Sequence, residues 1–184
     1  MGSAAPTYNI EASFLAPTKS ASTEQVVLAV DIGTSSLKAA YITAKGELLA
    51  STRIRFSSTK RTAFDWLDAF CRAWLDLHKT FTKAEVLAIA ISGNGPTLVS
   101  IAEDYSPTAL YLWNEALADS KLGIEPSSSV DTKGPSLFIP RIRSFYSLYP
   151  EQTKNAHLIL SGPEFLIFAL CGNAVTILPD NRYT

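Results

Sequence analysis

The chain has 184 residues, 47% of them hydrophobic and 18% charged, with a formal net charge of −1. That length suits one domain with a tail, and the apolar fraction is enough to fill its core. Sixteen basic residues against seventeen acidic ones leave no basic face for a phosphate backbone, which argues against nucleic acid as a partner.

The basic residues are scattered, with Lys60–Arg61 and Arg141/Arg143 as isolated pairs. Cys71 and Cys171 lie far apart in apolar helical stretches and are expected as buried or half-buried thiols in a reducing compartment. His78 and His157 are the only histidines, and no Cys or His spacing suits zinc. No run reaches the roughly 18 apolar residues that span a bilayer. No basic segment precedes the first apolar residues, so a signal peptide is not expected either. The expectation is a cytoplasmic protein without a membrane partner.

Residues 1–24 are rich in Ala, Ser, Thr and Pro without periodicity, and are expected to be a mobile extension to a domain over 25–184. Val26 to Val30 is an apolar run with three β-branched residues, the pattern of a strand buried on both faces. A polar turn with one glycine follows, Asp31-Ile32-Gly33-Thr34-Ser35-Ser36. Leu37, Ala39 and Tyr41 then alternate as a returning strand. Beyond Lys45-Gly46, a third strand places Leu48, Ala50, Thr52, Ile54 and Phe56 on one face.

Thr62 to Asp65 fits a capping box, opening a helix whose apolar face runs from Ala63 through Trp66, Phe70, Trp74 and Leu77 to Phe81. Those tryptophans are expected in the core, and His78 is expected to favour the helix C-terminus. Glu85–Ser92 reads as a second buried strand, parallel to the first because a helix crosses between them. Thr97–Ala102 and Ala109–Trp113 read as strands, and 118–135 as a loop. A helix from Pro140 should turn Ile142, Phe145, Tyr146 and Tyr149 inward, with Pro150 opening a short second helix. Leu158–Leu160 is a brief strand. Ser161 to Glu164 is another capping box, its helix ends at Gly172, and Ala174–Leu178 is extended. The order β-β-β-α-β followed by mixed elements predicts an α/β layer fold with a mixed sheet flanked by helices.

The segment Asp31 to Lys38 carries the chemistry. A strand delivers a carboxylate to a tight turn whose glycine admits a ligand, beside three hydroxyls and several amides. Such turns hold anions, and an aspartate there can hold Mg²⁺ through its waters. Lys38 either approaches a phosphate or is an exposed strand residue. The segment is neither a Walker A loop nor a G-x-G-x-x-G fingerprint.

VLAVDIGTSSLKAA (Val27–Ala40) resembles the first phosphate motif of the sugar kinase, Hsp70 and actin superfamily, and within it the FGGY carbohydrate kinases, xylulokinase-like members in particular. AIAISGNGPTL (88–98), ALYLWNE (109–115) and residues 159–180 resemble colinear family segments. The resemblance implies an RNase H-like lobe, ATP and Mg²⁺ as cofactors, and γ-phosphoryl transfer to a sugar or polyol hydroxyl. It implies Asp31 as the Mg²⁺ organiser and Gly33, Thr34, Ser35, Ser36 and Lys38 along the phosphate path. Asn94, Gly95, Trp113 and Asn114 fall at sugar-facing positions, though Trp113 also suits the edge of the core.

Two departures stand out. Asn94-Gly95-Pro96-Thr97 replaces the family's Gln-Met-His-Gly-like loop, which leaves the sugar open. The family's catalytic aspartate and second lobe align beyond Thr184, and Asp180 sits in a different motif. No catalytic residue is therefore assigned, and a separately encoded C-terminal kinase lobe is a candidate partner. The alternative is a non-catalytic sugar-binding or partner-binding module.

Overall fold

The computed structural model describes residues 23–57, 61–93, 95–117 and 138–175. The expected extension through residue 22, Asn94, the 118–135 loop, the 176–178 part of the last extended segment and Asp180 lie outside the described residues.

The first sheet is built as the alternation predicts. Strands β1 (Glu24–Ile32), β2 (Ser36–Thr43) and β3 (Leu48–Arg55) form an antiparallel meander. Helix α1 (Phe64–Thr80) crosses over, and β4 (Ala84–Gly93) returns parallel to β1, giving the order β3-β2-β1-β4. Leu28, Val30, Ile32, Leu37, Tyr41 and Ile54 form one core cluster with Trp66, Phe70 and Leu77 of α1. Each such side chain withdrawn from water contributes about 1.5–3 kcal/mol.

A bulge between Tyr41 and Ile42 pairs Ile42 with Leu48. It throws Leu48 out of phase, 63% exposed, while Ala50 and Ile54 stay buried as predicted. The helix start is half a capping box. The Thr62 amide donates to Asp65 Oδ2 at 2.7 Å, but no side chain caps the helix in return.

The first sheet is mixed, as expected, and a separate antiparallel sheet follows it. This second sheet comprises β5 (Leu98–Ile101), β6 (Pro107–Tyr111) and β7 (Leu158–Ser161), in the order β6-β5-β7. Helices α2 (Phe138–Leu148) and α3 (Pro150–Lys154) precede β7, and α4 (Gly162–Cys171) follows it. The Ser161–Glu164 capping box is complete, and Gly172 closes α4 at φ 72°. Helix α4 touches β4, β5 and α1, tying the two sheets together.

Three expectations are corrected. On α2 the inward residues are Arg141, Ser144 and Phe145, while Ile142 and Tyr146 are exposed. The Arg141 guanidinium lies 4.8 Å from the centre of the Tyr111 ring and donates to the Leu112 carbonyl at 2.9 Å, and this turns the helix. Strand β4 is not buried on both faces. Among the described residues it is the sheet edge, with Leu87 59% and Ile89 42% exposed. Cys171 is exposed at the end of α4, whereas Cys71 is half-buried on α1 as expected. Burial, reinforced by the Asp68 carboxylate, pushes the Cys71 thiol above its usual range. Thiolate is the reactive form. Ellman's reagent is therefore expected to label Cys171 at least about tenfold faster than Cys71 at pH 8, and equal rates would contradict this.

Candidate functional site

The predicted residues other than Asn94 converge where β1 and β4 end, where β2 begins and where β6 gives way to a turn. Open α/β sheets bind ligands at such carboxyl ends. Between β1 and β2 the chain reverses so tightly that the Gly33 amide donates to the Ser36 carbonyl at 2.9 Å. A Cβ on Gly33 would stand 2.9 Å from that same oxygen, so only glycine closes this turn without displacing backbone. Gly93 is less tightly held, since its Cβ would meet the side chains of Ile32 and Pro163 at 3.1 and 3.2 Å.

Asp31 is the penultimate residue of β1, with its carboxylate on the sheet face opposite α1. Strand register sets Ser92, Asp31, Lys38 and Arg53 in one polar row across the four strands. Lys38 Nζ lies 3.3 Å from Asp31 Oδ2, with both side chains about half exposed. Exposed pairs of this kind contribute roughly 0–1 kcal/mol. A divalent cation on Asp31 and an anion on Lys38 can therefore separate them at little cost. Ser36 is buried, and its hydroxyl accepts from Arg53 Nε at 2.9 Å. Ser35 is the exposed residue of the turn, and its carbonyl accepts from the Phe56 amide at 3.1 Å.

The sugar-facing candidates adjoin this turn. Gly95, at φ 26°, lies close enough to Trp113 that a Cβ would touch the tryptophan Cβ at 3.7 Å. Trp113 falls just beyond β6, since the strand ends at Tyr111. Its amide donates to Thr97 Oγ1 at 3.1 Å, and its indole Nε1 donates to Thr34 Oγ1 at 3.0 Å. Asn114 is exposed in the same turn. The turn is pinned by Glu115, whose Oε1 accepts from the Leu112 amide at 2.9 Å, and by the Tyr111 hydroxyl donating to the Ala116 carbonyl.

Two arginines were missed as site residues. Arg61 Nη1 donates to the Thr34 carbonyl, and its guanidinium sits 4.4 Å from the centre of the Phe56 ring. Burial lowers the Arg61 pKa, against a smaller opposing effect of Asp65. Arg141 anchors the chain on the other side, at the Leu112 carbonyl next to Trp113. Both belong to basic pairs in the sequence, but nothing in the spacing says which carbonyls they meet.

The space around the site is uneven. A hollow of about 780 Å³ lies over the uncovered sheet face, lined by Asp31, Lys38 and Arg53 among small residues such as Ala29, Ala40 and Ala90. The crevice between the Gly33–Thr34 turn and Trp113 is narrow and holds only about 10 Å³. Among the described residues no three His, Cys, Asp or Glu side chains gather as a metal site. Mg²⁺ is commonly held by one or two carboxylates plus waters and phosphates, so Asp31 together with the turn at Gly33 fits a Mg²⁺–phosphate group.

This arrangement is that of a carbohydrate kinase fold, present in part. Gluconate kinase from Lactobacillus acidophilus superimposes with a TM-score of 0.66 at 20% identity, over 83% of this chain and 34% of that one. Xylulose kinase from Rhodospirillum rubrum gives 0.67 at 16% identity, over 82% and 35%. Glycerol kinase from Plasmodium falciparum, solved with ADP, gives 0.62 at 15% identity, over 81% and 35%. The chain thus spans about a third of the length of the solved structures it matches. No family model and no curated protein matches the sequence. Among the described residues no helix is long and apolar enough to cross a membrane.

Proposed function

We propose that this chain is the phosphate-and-sugar portion of an FGGY-type, xylulokinase-like carbohydrate kinase with an RNase H-like lobe over residues 25–184. The observation that carries the reading is the convergence of the Gly33 turn, Asp31, Gly95 and Trp113 at one end of the sheet, on a fold otherwise matched by sugar kinases.

In this reading Asp31 holds Mg²⁺, and the turn at Gly33, Thr34 and Ser35 faces the phosphates of ATP with Lys38 beside them. The metal and nucleotide supply charge neutralisation and the phosphoryl group. Trp113 offers its exposed flank to sugar C–H groups, and Asn114 offers a donor and an acceptor. Asn94, outside the described residues, is the remaining sugar-facing candidate.

Proton acceptance from the sugar hydroxyl needs a carboxylate suited to that task. We assign it to further polypeptide, contiguous or separately encoded. Strand β4 supports this assignment. It is a ten-residue edge with a single charge, Glu85, and exposed Leu87 and Ile89, whereas the opposite edge β3 carries Arg53 and Arg55. Natural sheets protect free edges with charge or proline, so β4 has the character of a strand meant to be paired.

A coupled assay of ATP consumption with D-xylulose, gluconate and glycerol tests the division of labour. The purified chain is expected to show no sugar-dependent turnover, and robust turnover would contradict the assignment. A second reading, a sugar-binding module without catalysis, shares the Trp113 surface. It is favoured if sugar stabilises the chain while Mg²⁺–ADP does not.

A further inference from the structure

Trp113 was expected to face sugar and Thr34 to face phosphate, yet the two are joined. Thr34 is gripped at both of its oxygens by donors from different parts of the fold. The Trp113 indole N–H reaches its hydroxyl across 79 residues of sequence, and the Arg61 guanidinium reaches its carbonyl. Neither donor belongs to the β1–β2 hairpin that carries the turn. Trp113 is itself fixed through its amide to Thr97, and Arg141 holds the preceding carbonyl. Arg61 is fixed over Phe56, whose amide donates to Ser35 in the same turn.

The connections after β3 and β6 therefore meet the phosphate turn at one residue, and the loop after β4 reaches Trp113 through Thr97. Trp113 is 39% exposed, so one flank is open to a ligand while its N–H is committed to Thr34. The indole N–H bond ties the ring to the Thr34 hydroxyl, and the 10 Å³ crevice beside it leaves little room for independent motion. Packed elements with little free volume respond together rather than locally.

We infer that Trp113 and Arg61 are positioning residues that clamp the phosphate turn through Thr34, so that a sugar seated on Trp113 is registered at the phosphate site. This rests on the sugar kinase reading for the identity of the two ligands, but the clamp itself does not. Its action is indirect: neither residue needs to touch the transferred phosphoryl group.

Amide hydrogen exchange and ¹⁵N spectra of the whole chain test both levels. Trp113→Phe keeps an aromatic ring, smaller than the indole, and loses the N–H, and Arg61→Ala loses the other donor. Each variant is expected to speed exchange of the Gly33 amide by about tenfold or more, while the amides of Leu28 and Tyr41 keep wild-type protection. Arg61→Lys is expected to restore part of that protection. Unchanged Gly33 exchange in both variants would overturn the clamp, and so would an equal loss of protection throughout the sheet, which marks a merely structural role.

Titration with D-xylulose, gluconate and glycerol then reads the coupling. In the wild type the Trp113 indole and Gly33 signals should move together. In Trp113→Phe, Gly95 should still respond while Gly33 does not. A sugar that moves Trp113 but leaves Gly33 still would overturn the coupling. If no sugar moves either signal, the coupling to sugar fails along with the substrate reading, and the exchange result still decides the clamp.

Discussion

Replacing Trp66 by alanine is expected to lower the unfolding free energy by about 3–5 kcal/mol, the usual cost of emptying a buried tryptophan site. Trp66 is 2% exposed on the inner face of α1. Its ring packs 6.1 Å from that of Phe165, and a Cβ on Gly162 would come within 3.4 Å of it. It thus joins α1, which covers the first sheet, to α4, which also packs on β5 of the second. It also lies beneath Gly33, Thr34 and Trp113, so its loss removes the floor of the site. Domains of this kind have only about 5–15 kcal/mol to lose.

Trp66→Phe provides the sharper comparison. The indole Nε1 is buried without a hydrogen-bond partner among the described residues. An unpaired buried donor costs about 1–3 kcal/mol, so removing it offsets part of the lost volume. Urea unfolding should therefore rank wild type and Trp66→Phe close together, with Trp66→Ala far below. A loss under about 1 kcal/mol in Trp66→Ala would show that the two sheets are not joined here.

Gly33→Ala is the second large effect, and it falls on binding as well as stability. The added methyl carbon would sit 2.9 Å from the Ser36 carbonyl oxygen, a backbone atom that yields only if the turn opens. Overpacking of this kind costs about 1–3 kcal/mol. Opening the turn also moves its amides, so affinity for Mg²⁺–ADP is expected to fall at least about tenfold, which corresponds to 1.4 kcal/mol.

Gly46→Ala is the control. Its φ of +82° penalises alanine, but no atom lies within 4 Å of the new Cβ, and it is in the remote β2–β3 turn. It should lose about 1–2 kcal/mol of stability without loss of nucleotide affinity. Equal effects of both variants on calorimetric Mg²⁺–ADP titrations would contradict a phosphate role for the Gly33 turn.

Local pattern carried most of the first sheet into view. Alternation in Leu37, Ala39 and Tyr41 and the helical period through Trp66, Phe70 and Leu77 match the buried residues, because each element there faces a single core. The Ser161–Glu164 box and Gly172 were legible for the same reason, as caps depend on neighbours a few residues away. What escaped notice depends on distant partners. The exposed edge of β4 looks in sequence like a buried strand, since an apolar run does not reveal whether a neighbour is present. The inward turn of Arg141 depends on the Tyr111 ring, and the grip of Arg61 and Trp113 on Thr34 spans 27 and 79 residues. The site residues themselves were visible as a motif, but their mutual bonds were not.

The central claim is most directly tested by the thermal stability of the purified chain with and without ligands. Mg²⁺–ADP and at least one of D-xylulose, gluconate and glycerol should each raise the melting temperature in a concentration-dependent way. A ligand at 100 times its dissociation constant contributes about 2.7 kcal/mol. The wild type should show both shifts, and Gly33→Ala should lose the nucleotide shift while keeping the sugar shift. A melting temperature indifferent to nucleotide and to all three sugars would contradict the account.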